Sequence, residues 1–295
     1  MRKLSFMCLI PVLLMLVSSF KTTDDDFIRG DCNYDNRVDI DDVTTLISYI
    51  LNGYWPDNNP EEPGNVTFVV NGIEINMVYV EGGTFTMGAS GTDTEANDNE
   101  FPAHIVTLSP YYICATEVTQ QLWRAVMGSN PSLNTGNVLC PVECVSWTEC
   151  QEFISTLNEM TGKNFRMPTE AEWEYAARGG NKSMGYKYSG SNTVGDVAWY
   201  NSNAGGKSHQ VATKLPNELG LYDMSGNVGE WCLDWYDGYY ATDSQMNPQG
   251  PSSGTTHVVR SCYYYHNATN CRNTFRSGSF KYNNRYASVG LRLAM

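Results

Sequence analysis

The chain has 295 residues, which suffices for one large domain or for a medium domain with an appendage. Its formal net charge of −13 argues against general nucleic-acid binding. The charge is uneven, because no acidic residue follows Asp243 whereas six basic residues do: Arg260, Arg272, Arg276, Lys281, Arg285 and Arg292. We therefore expect a locally basic surface near the C-terminus of an acidic protein.

Residues 1–19 have the pattern of a secretory signal peptide. Arg2 and Lys3 precede an apolar run, and Ser18 and Ser19 follow it. The run is short and contains Pro11, which favours a cleaved signal over the alternative, an anchoring helix. We expect an exported protein in the periplasm, on the cell surface or in the medium, with no stable membrane span in the mature chain. Export permits disulfides, but the spacing of the cysteines does not decide which of them pair.

Residues 27–54 combine an acidic loop with an amphipathic helix. Six residues have the spacing of a calcium-binding loop: Asp31, Asn33, Asp35, Arg37 (through its carbonyl), Asp39 and Asp42. Apolar residues from Val43 to Leu51 follow on one helical face. The stretch resembles one repeat of a type I dockerin, a family that normally has two. The resemblance implies bound calcium and a cohesin-like partner, and the alternative is a solvated acidic loop before a helix.

A linker rich in Pro, Gly, Asn and Glu, residues 55–66, leads to the main domain, residues 67–295. Alternating apolar residues predict strands over Ile73–Val80, Phe85–Met87 and His104–Leu108. We expect the first two of these strands to pair as a hairpin around Gly82 and Gly83.

Three helices are predicted from capping signals and apolar spacing. The first covers Thr119–Met127. The second begins with the capping box Ser146/Glu149, and the third begins with Thr169/Glu172 and ends before Gly179. From there on, Gly, Asn and Ser predominate, which predicts mostly loops over a small sheet.

Six runs within residues 73–295 occur in the order and spacing of one family: NMVYVEGGTFTMG, EFPAHIVTLSPYYICATEVT, PVECVSW, RMPTEAEWEYAARGG, GLYDMSGNVGEW and VGLRLAM. They resemble the formylglycine-generating enzyme (sulfatase-modifying factor) family. The resemblance implies a single α+β domain with a C-type lectin-like fold, two long helices, short sheets, long loops and structural calcium. It also implies side-chain calcium ligands at Asp223 and Glu230 and carbonyl ligands at Gly226 and Val228, a donor set that suits calcium.

The catalytic positions of that family are changed in this chain. Its formylglycine-forming members hold copper(I) between two cysteines, soft ligands that suit this metal, and the matching positions here are His266 and Cys271. Tyr263 replaces the active-site serine, and Gly229 replaces a tryptophan. We therefore expect neither catalysis nor bound copper. The alternative is a copper-dependent formylglycine-generating oxidoreductase that acts on sulfatase cysteines.

The segment from Arg260 to Arg292 has the composition of a recognition surface. From Ser261 to Ser288 it contains five Tyr, five Asn and no acidic residue, and binding loops favour Tyr combined with Asn and Ser. Many of its positions hold residue types reached from an Asn codon by changing its adenines: Ser261 to His266, Asn267, Thr269, Asn270, Asn273, Phe275, Ser277, Gly278, Ser279, Tyr282, Asn283 and Tyr286. The residues that look fixed between them are Arg260, Cys271, Arg272, Arg276, Arg285, Gly290 and Arg292. This pattern resembles the variable region of diversity-generating retroelement target proteins. We predict a protein or glycan ligand contacted by Tyr263, Tyr264, Tyr265, His266, Asn267, Asn273, Phe275, Tyr282 and Tyr286.

Three other interpretations of the C-terminal domain follow from the same residues. In the first, the segment is a polar surface loop without a role. In the second, its composition results from neutral drift in an enzyme-derived fold. In the third, the domain is cargo that residues 27–54 carry into a larger extracellular assembly.

Overall fold

The computed structural model describes residues 63–295 and, before them, Val43. The chain divides into two units after Gly64, and the second unit spans Asn65–Met295. The predicted signal, the rest of the predicted dockerin-like stretch and most of the linker lie outside the described residues, so they stay predictions. Among the described residues, no helix has the length and apolarity that a membrane crossing requires.

Residues 63–295 form short sheets, few helices and long loops, which agrees with the predicted α+β class. The strands are β1 (Val66–Val70), β2 (Ile73–Val80), β3 (Gly83–Met87), β4 (His104–Leu108), β5 (Tyr111–Cys114), β6 (Gly229–Trp235), β7 (Gln245–Met246), β8 (His257–Arg260), β9 (Arg276–Ser277) and β10 (Val289–Leu291). The α-helices are α1 (Gln120–Met127), α2 (Trp147–Thr161), α3 (Glu170–Ala177) and the single turn α4 (Val194–Val197).

The predicted hairpin of β2 and β3 is wrong. β2 pairs with β1 and β5, whereas β3 pairs with β4 in a different sheet. A two-residue hairpin turn needs positive φ angles, and neither Gly82 nor Gly83 has one. The residues that do make such a turn are Asn71 and Gly72, with φ angles of 50° and 80°. They join β1 to β2, and an Asn-Gly pair is a sequence signal for such a turn.

The three predicted helices are confirmed. The Thr119 hydroxyl accepts a hydrogen bond from the Leu122 amide at the start of α1, and both predicted capping boxes form, at α2 and at α3. Each cap contributes about 1 kcal/mol to helix stability. Of the two long helices implied by the family resemblance, only α2 is long, with 15 residues, whereas α1 and α3 have 8 each.

The core is organised around α2 and β6. Phe153, Ile154 and Leu157 of α2 are buried, and the Phe153 ring stacks on Trp123 with their centroids 4.8 Å apart. β6 lies in the middle of the largest sheet, between the parallel strand β10 and the antiparallel strand β8. The C-terminal segment therefore starts on one side of β6 and returns on the other.

We expect Phe153→Ala to lower the free energy of unfolding by about 3–5 kcal/mol, because it leaves a cavity against Trp123. Urea denaturation measures this difference. Val69→Ala, on the exposed face of β1, is the control and should change stability by less than about 0.5 kcal/mol. A loss of less than about 1 kcal/mol for Phe153→Ala would contradict this description of the core.

Candidate ligand-binding face

Arg260, at the end of β8, fixes the start of the C-terminal segment, which we define as residues 260–292. Its side chain is fully buried. Its two terminal nitrogens donate to Glu170 at 3.0 Å and to Glu174 at 2.9 Å, both on α3. The second nitrogen also donates to the Asn273 carbonyl at 2.6 Å, inside the segment itself. Arg260 therefore ties the segment to α3 and to its own middle.

Arg272 and Arg276 hold the middle of the segment in the same way. Arg272 makes a bidentate pair with Glu100, at 2.6 and 2.7 Å. Arg276 makes one with Glu170, also at 2.6 and 2.7 Å, and lies against the rings of two tyrosines. Burial raises the pKa of the Glu170 carboxyl, but Arg276 and Arg260 outweigh burial and hold the pKa below its ordinary value.

Arg292 closes the segment by pairing with Glu230 of β6, at 2.7 Å, where both side chains are fully buried. Four of the six C-terminal basic residues are thus buried against carboxylates that precede them in sequence: Arg260, Arg272, Arg276 and Arg292. The predicted locally basic surface is therefore wrong. The uneven charge along the chain arises because a basic segment docks onto an acidic scaffold.

A disulfide between Cys262 and Cys271 closes the first half of the segment. The two Cα atoms lie 4.8 Å apart, and both residues are buried. Closing a loop of this length contributes about 3 kcal/mol in the chain-entropy model. The disulfide settles one pairing that the sequence left open, while Cys114, Cys140, Cys144, Cys150 and Cys232 are free.

Between the anchors, the segment presents two arms, residues 263–270 and residues 277–287, in which all residues except Tyr263 and Phe280 are at least partly exposed. Tyr265 is 53% exposed in the first arm, and Tyr282 is 39% exposed in the second. The Tyr264 hydroxyl donates to the Ala287 carbonyl at 3.2 Å, and the Tyr265 hydroxyl lies 3.1 Å from that of Ser288. The arms therefore lie side by side and form one face.

Six of the nine predicted contact residues remain accessible on this face: Tyr264, Tyr265, His266, Asn267, Tyr282 and Tyr286. Further exposed residues are Thr269, Ser279, Lys281, Asn283, Asn284 and Arg285. The scaffold contributes Asn201, whose amide nitrogen donates to the Asn267 side chain at 2.6 Å. Sequence reasoning missed Asn201 as a contact candidate because it lies 66 residues before its neighbour in the face.

The other three predicted contact residues, Tyr263, Asn273 and Phe275, are buried, and their assignment is corrected. Asn273 and Phe275 lie between Arg272 and Arg276, and both arginines point into the protein. The Tyr263 ring fills space beside Gly229, where a Cβ atom would lie 3.3 Å from that ring. For Asn273 and Phe275 the sequence signal is their position between Arg272 and Arg276. A run of three residues between two anchored arginines has little freedom to face outward.

His266 and Cys271, which match the two copper ligands of the family by resemblance, do not provide two thiolates. Cys271 is bonded to Cys262. The His266 ring packs on Tyr263, with centroids 3.4 Å apart, and burial lowers the His266 pKa to about 4. By resemblance, Tyr263 matches the position of the family's serine, and it is buried. These residues therefore do not fit a copper(I) site.

The predicted calcium ligands differ in what they offer a cation. One carboxylate oxygen of Asp223 is buried without a hydrogen-bond partner among the described residues, and burial raises the pKa of Asp223 to about 6. Asp223 therefore fits a cation ligand. Both oxygens of Glu230 already accept hydrogen bonds from Arg292, and one also accepts from Trp173. The described part of the chain contains no cluster of three His, Cys, Asp or Glu side chains placed to hold a metal ion, so carbonyls such as those of Gly226 and Val228 would be needed.

We expect Glu170→Gln to destabilise the fold by about 3–5 kcal/mol, because it leaves Arg260 and Arg276 buried without a full counter-charge. The exposed pair of Arg285 and Glu149 provides the comparison, since the Arg285 side chain is 55% exposed. Arg285→Ala should cost less than about 1 kcal/mol. Equal losses for the two variants, measured by urea denaturation, would show that the buried arginines are not anchors.

Comparisons with known proteins agree with this geometry. Residues 71–295 match the sulfatase-modifying factor enzyme 1-like domain. The chaperone protein LppX of Paenibacillus barcinonensis is 36% identical over 225 residues, covering 59% of this chain and 74% of that protein. The formylglycine-generating enzyme of Streptomyces coelicolor is 28% identical over 278 residues, covering 72% of this chain and 86% of that enzyme.

Solved structures show the same relationship. Treponema denticola variable protein 1 superposes with a TM-score of 0.72 at 33% identity, covering 79% of this chain and 99% of that one. PvdO from Pseudomonas aeruginosa superposes with a TM-score of 0.67 at 23% identity, covering 79% of this chain and 98% of that one. At this identity the superposition shows a shared fold alone. The chain therefore belongs to the family of sulfatase-modifying factor enzyme 1-like domains, and it resembles a variable protein of the same fold.

Proposed function

We propose that this protein is an exported ligand-binding protein whose binding surface is the face formed by residues 263–270 and 277–287. The observation that carries the proposal is the separation of two roles within one segment. Buried arginines fix the backbone, while the residues between them expose Tyr, Asn, Ser and Thr side chains. Changes at the exposed positions therefore leave the anchors intact.

The exposed residues have the chemistry of a general contact surface. Tyrosine buries a large area at low entropic cost, and Asn, Ser and Thr supply adaptable hydrogen bonds. Tyr265 and Tyr282 are the candidates for dominant contacts, each worth about 2 kcal/mol or more if it fills a pocket on the partner. The face carries little net charge, because Arg285 pairs with Glu149 and leaves Lys281 as its unpaired charge. This composition suits a protein or glycan partner.

Variation at this face would fit the resemblance to retroelement-diversified proteins. We propose that the exposed positions are the ones that vary between otherwise identical chains. Sequencing the gene in related strains measures this directly. Differences confined to adenines in the codons of the exposed residues support the proposal, and differences spread evenly over the anchoring arginines contradict it.

Copper-dependent formylglycine generation is the competing function, and family membership is its support. The disulfide between Cys262 and Cys271 and the position of Tyr263 weigh against it. Copper(I) uptake by the reduced protein, together with oxidation of a sulfatase cysteine peptide, would establish that function instead of the binding function proposed above.

The N-terminal part of the proposal rests on sequence alone. We propose that residues 27–54 bind calcium through the loop from Asp31 to Asp42 and attach the chain to a cohesin-like partner. Binding of the full chain to a cohesin domain in calcium, and its loss in a chelator, is the measurement that tests this attachment.

We expect the exposed positions to tolerate randomisation. A library of the full chain with Tyr265, Asn267, Thr269, Tyr282 and Asn283 randomised should keep most members folded, because none of these residues is buried. Display and selection against an immobilised test protein, hen egg-white lysozyme, should then yield binders with Kd of about 1 µM or tighter.

A matched library at the buried positions Tyr263, Asn273 and Phe275 is the control, and most of its members should fail to fold. The proposed binding face would be contradicted if the two libraries unfolded equally often. It would also be contradicted if the exposed library folded but gave no enrichment of binders.

We further propose that calcium bound at Asp223, with the carbonyls of Gly226 and Val228, stabilises the scaffold. Without a cation, Asp223 holds its proton more tightly in the folded chain than in the unfolded chain, where its pKa is near 3.9. Its contribution to stability is therefore greatest below about pH 4 and is lost as the pH rises through the folded pKa of about 6.

In a chelator, the free energy of unfolding of the wild type, compared with that of Asp223→Asn, should fall by about 2 kcal/mol as the pH rises from 4 to 7. Added calcium should raise the wild-type Tm at pH 7 and leave that of Asp223→Asn unchanged. Asp243→Asn, at an exposed position, is the control and should respond to calcium as the wild type does. A wild-type Tm that does not change with added calcium would contradict the proposed calcium site.

A further inference from the structure

A cavity of about 600 Å³ lies outside the two exposed arms. Its walls come from the end of β6, the start of α3 and the loop from Asp237 to Pro251. This volume lies within the range of small-molecule sites. Arg276 is the one residue of the C-terminal segment that lines it.

Asp234 is the buried polar group of this cavity. It is 4% exposed, and one of its carboxylate oxygens accepts a hydrogen bond from the Glu170 amide at 2.8 Å. No residue other than Asp234 itself donates a hydrogen bond to the second oxygen within the described part of the chain, and Asp234 lines the cavity. One acceptor of a buried carboxylate is thus available to a ligand.

The loop is fitted closely around Asp234. Gly250 has a φ angle of +68°, and a Cβ atom there would lie 2.9 Å from the Asp234 Cβ. Only glycine allows this approach at this backbone conformation. The loop therefore packs directly against the carboxylate, which makes the cavity a formed site.

The charges that line the cavity are not balanced. Glu170 is neutralised by Arg260 and Arg276. Nη1 of Arg276 donates to the carbonyls of Asn99 and Asp237, so four of its five N–H groups are used within the protein and Glu170 balances its charge. Asp234 and the exposed Asp237 therefore remain as carboxylates without a cationic partner. Burial, with the nearby charge of Glu170, raises the pKa of Asp234 to about 7.

The other lining groups match a cation that donates several hydrogen bonds. Gln245 and Gln249 offer amide oxygens, and the Tyr239 ring, 66% exposed, stands at the rim. A cation over an aromatic face is attracted by its quadrupole. We propose that this cavity binds an organic ammonium group, with Asp234 as its counter-ion and Tyr239 as its aromatic contact. The ammonium comes either from a free amine or from a lysine side chain of a partner.

Binding should strengthen as Asp234 ionises. The charged and titratable groups that face Asp234 or share its cavity are His104, Glu170, Glu172, Cys232, Asp237, Tyr239, Tyr240, His257 and Arg276. A rise from pH 6 to pH 8 takes Asp234 from mostly protonated to mostly ionised, which should tighten ammonium binding about tenfold. Any pH dependence of ammonium binding that arises from His104 persists in Asp234→Asn, whereas the part that arises from Asp234 is lost. The variant therefore distinguishes the two groups.

Calorimetric titration of the full chain with cadaverine and with a lysine-containing tripeptide tests the proposal and distinguishes the two sources. We expect saturable binding of at least one probe, no binding of the uncharged analogue pentane-1,5-diol, and at least a tenfold weaker affinity in Asp234→Asn. Asp243→Asn removes an exposed carboxylate outside the cavity and should bind as the wild type does. Equal affinity of the wild type and Asp234→Asn would overturn the proposal.

A second variant keeps the test decisive if Asp234→Asn does not fold. Tyr239→Ala changes an exposed side chain and should weaken the bound probe about threefold. An unchanged affinity in Tyr239→Ala would overturn the assigned contact. Absence of binding of both probes to folded wild type at pH 8, up to about 10 mM, would overturn the site as a whole.

Discussion

Buried pairing of arginine with glutamate is the interaction on which the C-terminal segment depends. Arg260, Arg272, Arg276 and Arg292 each place a guanidinium in the interior, and each meets a carboxylate from the scaffold. Such pairs add little net stability compared with apolar residues, but a missing partner is costly. Their effect here is specificity, because a bidentate pair fixes both the position and the direction of the chain. A long segment with little regular secondary structure is thereby held in one path.

The C-terminal segment also carries the positions that match the family's catalytic residues by resemblance. There the Tyr263 ring fills the space beside Gly229, and Cys271 is bonded to Cys262. All four buried arginines pair with carboxylates beside these residues. The exposed part of the segment is polar and aromatic, which is the composition that the proposed binding face needs.

Much of the fold could be predicted from sequence, because local signals decide it. The capping boxes at Ser146 and Thr169 are confirmed because each depends on residues only three positions apart. The pairing of β3 could not be predicted, because strand partners depend on contacts distant in sequence. The candidate binding face also combines features that local sequence decides with features that distant contacts decide. Composition pointed to the segment, but burial of Phe275 and pairing of its arginines depend on Glu100, Glu170 and Glu230, which no local pattern connects to it.

We infer that the four buried arginines, and not the exposed side chains, determine the path of residues 260–292. A crystal structure of the chain with Tyr264, Tyr265, Asn267, Tyr282 and Asn283 all replaced by serine tests this claim most directly. We expect the backbone of residues 260–292 to superpose on the present one within about 1 Å. All four buried arginines should remain paired with the same glutamates. A rebuilt backbone, or an arginine released from its carboxylate, would contradict it.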